Sequence, residues 1–69
     1  MAWLVWLDRW DTATGEQTFE AELVFDDLSE AMACAHESLD GCRKGQRVKA
    51  EVVEMFNEEN CAFSYAVEV

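Results

Sequence analysis

Carboxylates dominate the residues that could do chemistry in this 69-residue chain, with fifteen Asp and Glu against five Lys and Arg. Paired acids such as Glu20 and Glu22 can in principle act as general acid and base. With so many acids, though, such pairs arise without any reaction to select them, and a sheet this small has little room for a closed pocket. The other reactive groups are sparse. His36 is the only histidine. Cys34 lies two positions before it, and on a helix residues two apart point to different sides, so the two do not easily share a metal. Cys34, Cys42 and Cys61 are odd in number, unlike a secreted disulfide framework, and read as reduced, small apolar side chains. No Gly-rich phosphate loop, no GxSxG and no HExxH is present. The inventory therefore predicts no enzyme, no metal and no cofactor, and leaves charge and surface to carry the functional reading.

The net charge is −10. Its distribution is uneven: Arg43, Lys44, Arg47 and Lys49 put +4 into residues 43–49, which hold no acid, so the remainder carries −14. That remainder repels nucleic acid and membrane phosphate and attracts basic protein surfaces. Direct nucleic-acid binding is not expected, because four bases form a small patch within an opposing field. The basic cluster reads more simply as charge balance against Glu16, Glu20 and Glu22 on neighbouring strands. Acidity also serves solubility, but a magnitude of 10 exceeds the roughly 2–8 that suits a small domain.

The elements that must position these acids follow from periodicity. Residues 2–10 contain all three tryptophans, with no Gly or Pro, and are apolar on both faces, as a central strand would be. Trp6 and Trp10 share one face with Leu4; Trp3, Val5 and Leu7 share the other. Turn formers at 11–15 end in Gly15, and residues 16–25 then alternate, with Gln17, Phe19, Ala21, Leu23 and Phe25 on one face and Glu16, Thr18, Glu20, Glu22 and Val24 on the other. These two runs form a hairpin. Asp27 suits a helix N-cap, Glu30 completes a capping box, and Gly41 stops a helix of 12 or 13 residues with an apolar stripe of Leu28, Ala31, Met32, Ala35 and Leu39. Residues 47–56 and 61–69 alternate again around a polar turn at 57–60. The order predicts a single α+β domain over residues 1–69: ββαββ, a four-stranded antiparallel-rich sheet with one helix packed on one face. The expected core joins Phe19, Leu23, Phe25, Val48, Val52, Phe63, Tyr65 and Val67 to the helix stripe.

One helix covers one face, so at least one tryptophan faces an uncovered sheet surface shared with acids. Such a residue either anchors a partner, as Trp does at interface hot spots, or packs on neighbours such as Val53 and Met55 as a minor core. The expectation places Leu4 and Trp6 inside, Trp3 outside and Trp10 at the fraying end. Carboxylates at i and i+2 on a strand lie about 6.6–6.8 Å apart, comparable with phosphates along a nucleic-acid strand. Glu16, Glu20 and Glu22 make such a row, Asp26, Asp27 and Glu30 extend it to the helix start, and Asp8 and Asp11 cap the opposite end. With Trp3 and Trp10 these are the expected partner-binding residues.

In size, element order and charge the whole chain resembles the small acidic phage-encoded anti-CRISPR proteins, without a diagnostic motif. The resemblance implies an inhibitor that occupies a nucleic-acid-binding surface of a CRISPR-Cas effector in the host cytoplasm. The absence of a basic leader, a cleavage site and any apolar run approaching the roughly 20 residues of a membrane span also points to the cytoplasm. The competing expectation is a structural or accessory homodimer that pairs through the Trp-bearing face.

Overall fold

The computed structural model describes residues 1–69. It has the order β1 (Trp3–Asp11), β2 (Gln17–Phe25), α1 (Leu28–Asp40), β3 (Gln46–Glu54) and β4 (Asn57–Glu68). All four strands form one antiparallel sheet ordered β2-β1-β3-β4. The fold is the α+β ββαββ arrangement, with two hairpins joined along the β1–β3 seam. Its helix is not long and apolar enough to cross a membrane.

The two-sided apolarity of β1 has its expected consequence, a place at the middle of the sheet. Val5 stands opposite Leu23 on one side and Val52 on the other, and Leu4 stands opposite Val24 and Val53. The turn after β1 is held locally. Asp11 Oδ1 accepts from the Ala13 amide at 2.8 Å, the Gly15 amide donates to the Asp11 carbonyl at 2.7 Å, and Gly15 has φ +74°, a value that suits glycine because it has no Cβ. At the helix start Asp27 accepts from both the amide and the hydroxyl of Ser29, each at 2.9 Å. That bond to the second helical residue replaces the reciprocal pair with Glu30 that a capping box would form. Gly41 ends the helix with φ −80°, so it is not in the left-handed cap conformation. Its amide continues the helical pattern to the Glu37 carbonyl at 3.1 Å.

The main core is a single layer between α1 and the sheet. Val5, Leu7, Val48, Ala50 and Val52 pack on Ala31, Ala35 and Leu39, all buried. Alanines at 31, 35 and 50 leave no bulk between helix and strands, so the backbones can approach closely. The face of β1 is the reverse of the sequence expectation. Trp3, Val5 and Leu7 point to the helix, and Trp3 is half-buried against the core. Trp6 and Trp10 lie on the other face. Both faces of β1 are apolar enough to be buried, so periodicity did not distinguish them; the register with β3, whose Val48, Ala50 and Val52 face the helix, does.

Three further corrections concern strand ends. The register between β1 and β2 shifts between Arg9 and Trp10, which pair with Phe19 and Gln17. This bulge leaves Thr18 as the extra residue and turns Gln17 to the face of Glu20. The second hairpin turns at Met55 and Phe56, and Glu54 pairs with Asn57, so residues 57–60 belong to β4 rather than to a turn. Phe56 is 87 % exposed at the tip. One narrow helix also leaves the outer strands of its face uncovered: Phe19, Leu23 and Tyr65 lie on the expected side yet remain exposed.

Candidate partner-binding face

The face opposite the helix is built from the even-numbered residues of β1 and their neighbours in register. In one row Trp6 stands between Glu22 and Glu51; in the next Asp8 stands between Glu20 and Lys49. Trp6 Nε1 donates to Glu22 Oε2 at 2.9 Å. Gln17, brought over by the bulge, donates from Nε2 to Asp8 Oδ1 at 2.7 Å and to Glu20 Oε2 at 3.2 Å. Lys49 Nζ lies 3.3 Å from Glu51 Oε1. Trp6, Asp8, Glu20, Ala21, Glu22 and Glu51 line a shallow depression on this face. Beneath one end lies a small second core, because Leu4 and Val53 are opposite each other and 5 % and 2 % exposed. Trp6 is only half-buried, so both functions expected of an open-face tryptophan meet here. Apolar residues floor the face, and an indole with acids on both sides remains accessible.

Four acids and one amine in the two rows leave this patch with a formal charge of −3. Coulomb repulsion between like charges on adjacent strands favours a cation from outside over neutrality from within. Beyond the patch, Arg47 lies over Trp10 at 5.6 Å from the ring centroid and stands opposite Glu68 in register. The basic residues therefore do not balance the acids of β2 directly. β1 separates β2 from β3, and Lys49 and Arg47 find Glu51 and Trp10 on or beside their own strand. Arg43 and Lys44 lie in the exposed connector before β3.

The ten expected binding residues separate into groups. Asp8, Glu20 and Glu22 converge on the patch, and Trp10 lies at its far end on the same face. Trp3 does not join them; it is on the helix side. Asp11 and Asp27 have local work in the turn and the helix cap. Glu16 is exposed in the turn, where its carbonyl accepts from the Asp11 amide at 2.8 Å, and Asp26 and Glu30 are exposed around the helix start. The sequence reading omitted Trp6, Glu51 and Gln17 from the site. Glu51 was recoverable, since it alternates with Lys49 on the uncovered face. Gln17 was not, because the bulge that redirects it has no sequence signature here.

The remaining reactive groups stand apart from this face. His36 packs on Phe63 with ring centroids 4.9 Å apart. Burial, and secondarily the Glu37 carboxylate, push the Cys34 thiol pKa up, which disfavours the thiolate needed for nucleophilic work. No three His, Cys, Asp or Glu residues are grouped to hold a metal ion. No family model matches the chain, and no curated protein or solved structure matches it.

Proposed function

We propose that this chain is a protein-binding module whose helix-free sheet face occupies a basic surface that otherwise holds nucleic acid. The observation that carries the reading is the arrangement of Asp8, Glu20, Glu22 and Glu51 around Trp6 on one rigid sheet, with Lys49 as the single amine among them. Carboxylates repeat along β2 at about 6.6–6.8 Å, and the half-buried indole of Trp6 supplies an apolar anchor inside an acidic rim, the layout expected of an interface hot spot. The resemblance to small acidic anti-CRISPR proteins gives the target class: a nucleic-acid-binding effector of host defence, of the CRISPR-Cas kind, met in the host cytoplasm. Function is by occupancy, without catalysis, metal or cofactor. A homodimer through the same face is less well served, because it would bring two −3 patches together.

The test is a binding titration against such an effector, free and loaded with guide RNA or target DNA, at low and high salt. Association is expected to weaken with salt and to compete with nucleic acid. Replacing Asp8 with Asn and Glu20, Glu22 and Glu51 with Gln should reduce affinity at least about tenfold, since each charge-assisted contact contributes roughly 1.5–3 kcal/mol. Unchanged affinity in the folded quadruple variant would end the proposal, as would binding indifferent to nucleic acid.

A further inference from the structure

The helix-bearing side of the sheet has an open flank of its own. α1 packs on β1 and β3, and the row beside it on β4 is Phe63, Tyr65 and Val67, opposite Val52, Ala50 and Val48 in register. Between this row and the end of α1 lies a groove of about 340 Å³, lined by His36, Leu39, Asp40, Phe63, Tyr65 and Val67. That volume is at the small end of the roughly 300–1,000 Å³ typical of ligand sites. Leu39 is buried and Val67 half-buried, so they give the groove an apolar base. Rings line the rest. Phe63 packs on His36 with centroids 4.9 Å apart and on Tyr65 at 6.5 Å, and Tyr65 is 58 % exposed. The groove has one carboxylate, that of exposed Asp40.

The surroundings call for a cation. Asp40 has no ion-pair partner, since the chain's one salt bridge joins Lys49 to Glu51. It is also the last residue of α1, whose final turn carries no base. The terminal carbonyls of a helix concentrate negative potential at that end, where positive charge is favoured. Elsewhere the chain supplies such cations itself. Arg9 lies over Phe19 at 5.2 Å from the ring centroid and Arg47 over Trp10 at 5.6 Å, both within the roughly 6 Å of a cation–π contact. Both caps are guanidinium groups. Phe63 and Tyr65 have no such cap, yet they are the rings with an unpaired carboxylate beside them.

We propose that this groove receives an arginine side chain of a basic partner protein, its guanidinium stacked on Tyr65 and Phe63 and paired with the Asp40 carboxylate. Arginine suits the site better than lysine, because its planar cation stacks on rings and meets a carboxylate with two N–H donors at once. Its aliphatic stem has Leu39 and Val67 to lie along. The field of a chain with net charge −10 draws such a group in, and it opposes an anion or a second acidic copy. Groove and acidic face lie on opposite sides of the sheet, so this site stands or falls independently of the face around Trp6.

The test is a nuclear magnetic resonance titration of the folded chain with N-acetyl-arginine methylamide. Its uncharged isostere, the citrulline derivative, and the trimethyllysine derivative serve as comparisons. His36 and Tyr65 are each the only residue of their kind, so their ring signals are unambiguous. Saturable shifts at Tyr65, Phe63 and His36 are expected with the arginine probe, and at least about fivefold weaker binding of the citrulline probe. Asp40→Asn should weaken the arginine probe by a similar factor. Tyr65→Leu, which keeps apolar bulk and removes the π face, should do the same, read at His36 and Phe63. Both positions are exposed, and circular dichroism checks that both variants fold. Neutralising Asp8, Glu20, Glu22 and Glu51 together should leave the groove's rings responding to the arginine probe, which separates this site from the acidic face. Equal binding of the citrulline probe overturns the proposal in favour of an apolar occupant, and tighter binding of the trimethyllysine probe in favour of a different cation. Ring shifts that appear on concentrating the protein without any probe show a second copy in the groove and overturn it too. So does the lack of a saturable shift at these rings well above millimolar probe, or parental affinity in both folded variants.

Discussion

Neutralising the acidic face should make the isolated protein more stable while it weakens partner binding. Asp8 and Glu20 are direct cross-strand neighbours, with side chains starting about 5 Å apart, and Asp8 and Glu22 are diagonal neighbours at about 7–8 Å. Glu20 and Glu22 are separated by about 6.6–6.8 Å along β2. Like charges at these separations repel by roughly 0.5–0.8 kcal/mol in water, and a Debye length of about 8 Å at physiological salt roughly halves each value. Glu20→Gln with Glu22→Gln relieves all three contacts, for a gain of about 1 kcal/mol. Glutamine retains an acceptor oxygen, so the bonds from Trp6 Nε1 and Gln17 Nε2 can persist and the difference isolates charge. Urea unfolding followed by circular dichroism, in low, physiological and molar salt, measures it. The gain should be largest at low salt and vanish near 1 M, where the Debye length is about 3 Å. A double variant less stable than the parent at low salt would refute the reasoning, because it would show that the fold itself satisfies these carboxylates.

Leu39→Ala removes the largest helix side chain in the core and should cost about 2–5 kcal/mol, against about 3–10 kcal/mol in total for a chain of this length; a urea-midpoint loss below about 1 kcal/mol would show that α1 is not the principal cover of the sheet. Thiol alkylation should modify exposed Cys61 first and Cys34 last. Because folding raises the Cys34 pKa above its ordinary value of 9.0, the associated stability is intact below that value and falls as pH rises through the folded-state pKa. Cys34→Ser should flatten that alkaline decline in a pH series of urea midpoints.

Element order was legible because each segment carries its own period: the alternation of residues 16–25 and 61–69, and the Leu28–Ala35–Leu39 spacing after an Asp cap, leave few other topologies. The central place of β1 was legible for the same reason, as no edge strand needs apolar residues on both faces. Which face met the helix was hidden by that very property, since Leu4 is buried as thoroughly as Leu7. The site was half legible. Glu20 and Glu22 are fixed by alternation within one strand, whereas the approach of Asp8 and Glu51 depends on register between strands far apart in sequence. Asn57-Glu58-Glu59-Asn60 was misread as a turn because a solvent-facing edge strand can be as polar as a loop.

The β1–β3 seam sets the order of events when the chain folds. Each hairpin closes over a short loop, but β1 meets β3 only after the whole of β2 and α1 lies between them. Loop-closure entropy falls on that pairing, and non-local pairing slows folding. During synthesis the first strand is made early, while its second neighbour emerges well after it. Until β3 arrives, the tryptophan-rich strand has one flank open, and this interval is when the chain is most prone to misassociation. The helix packs on Val48, Ala50 and Val52 of β3 as well as on Val5 and Leu7 of β1, so its full cover also waits for that late strand.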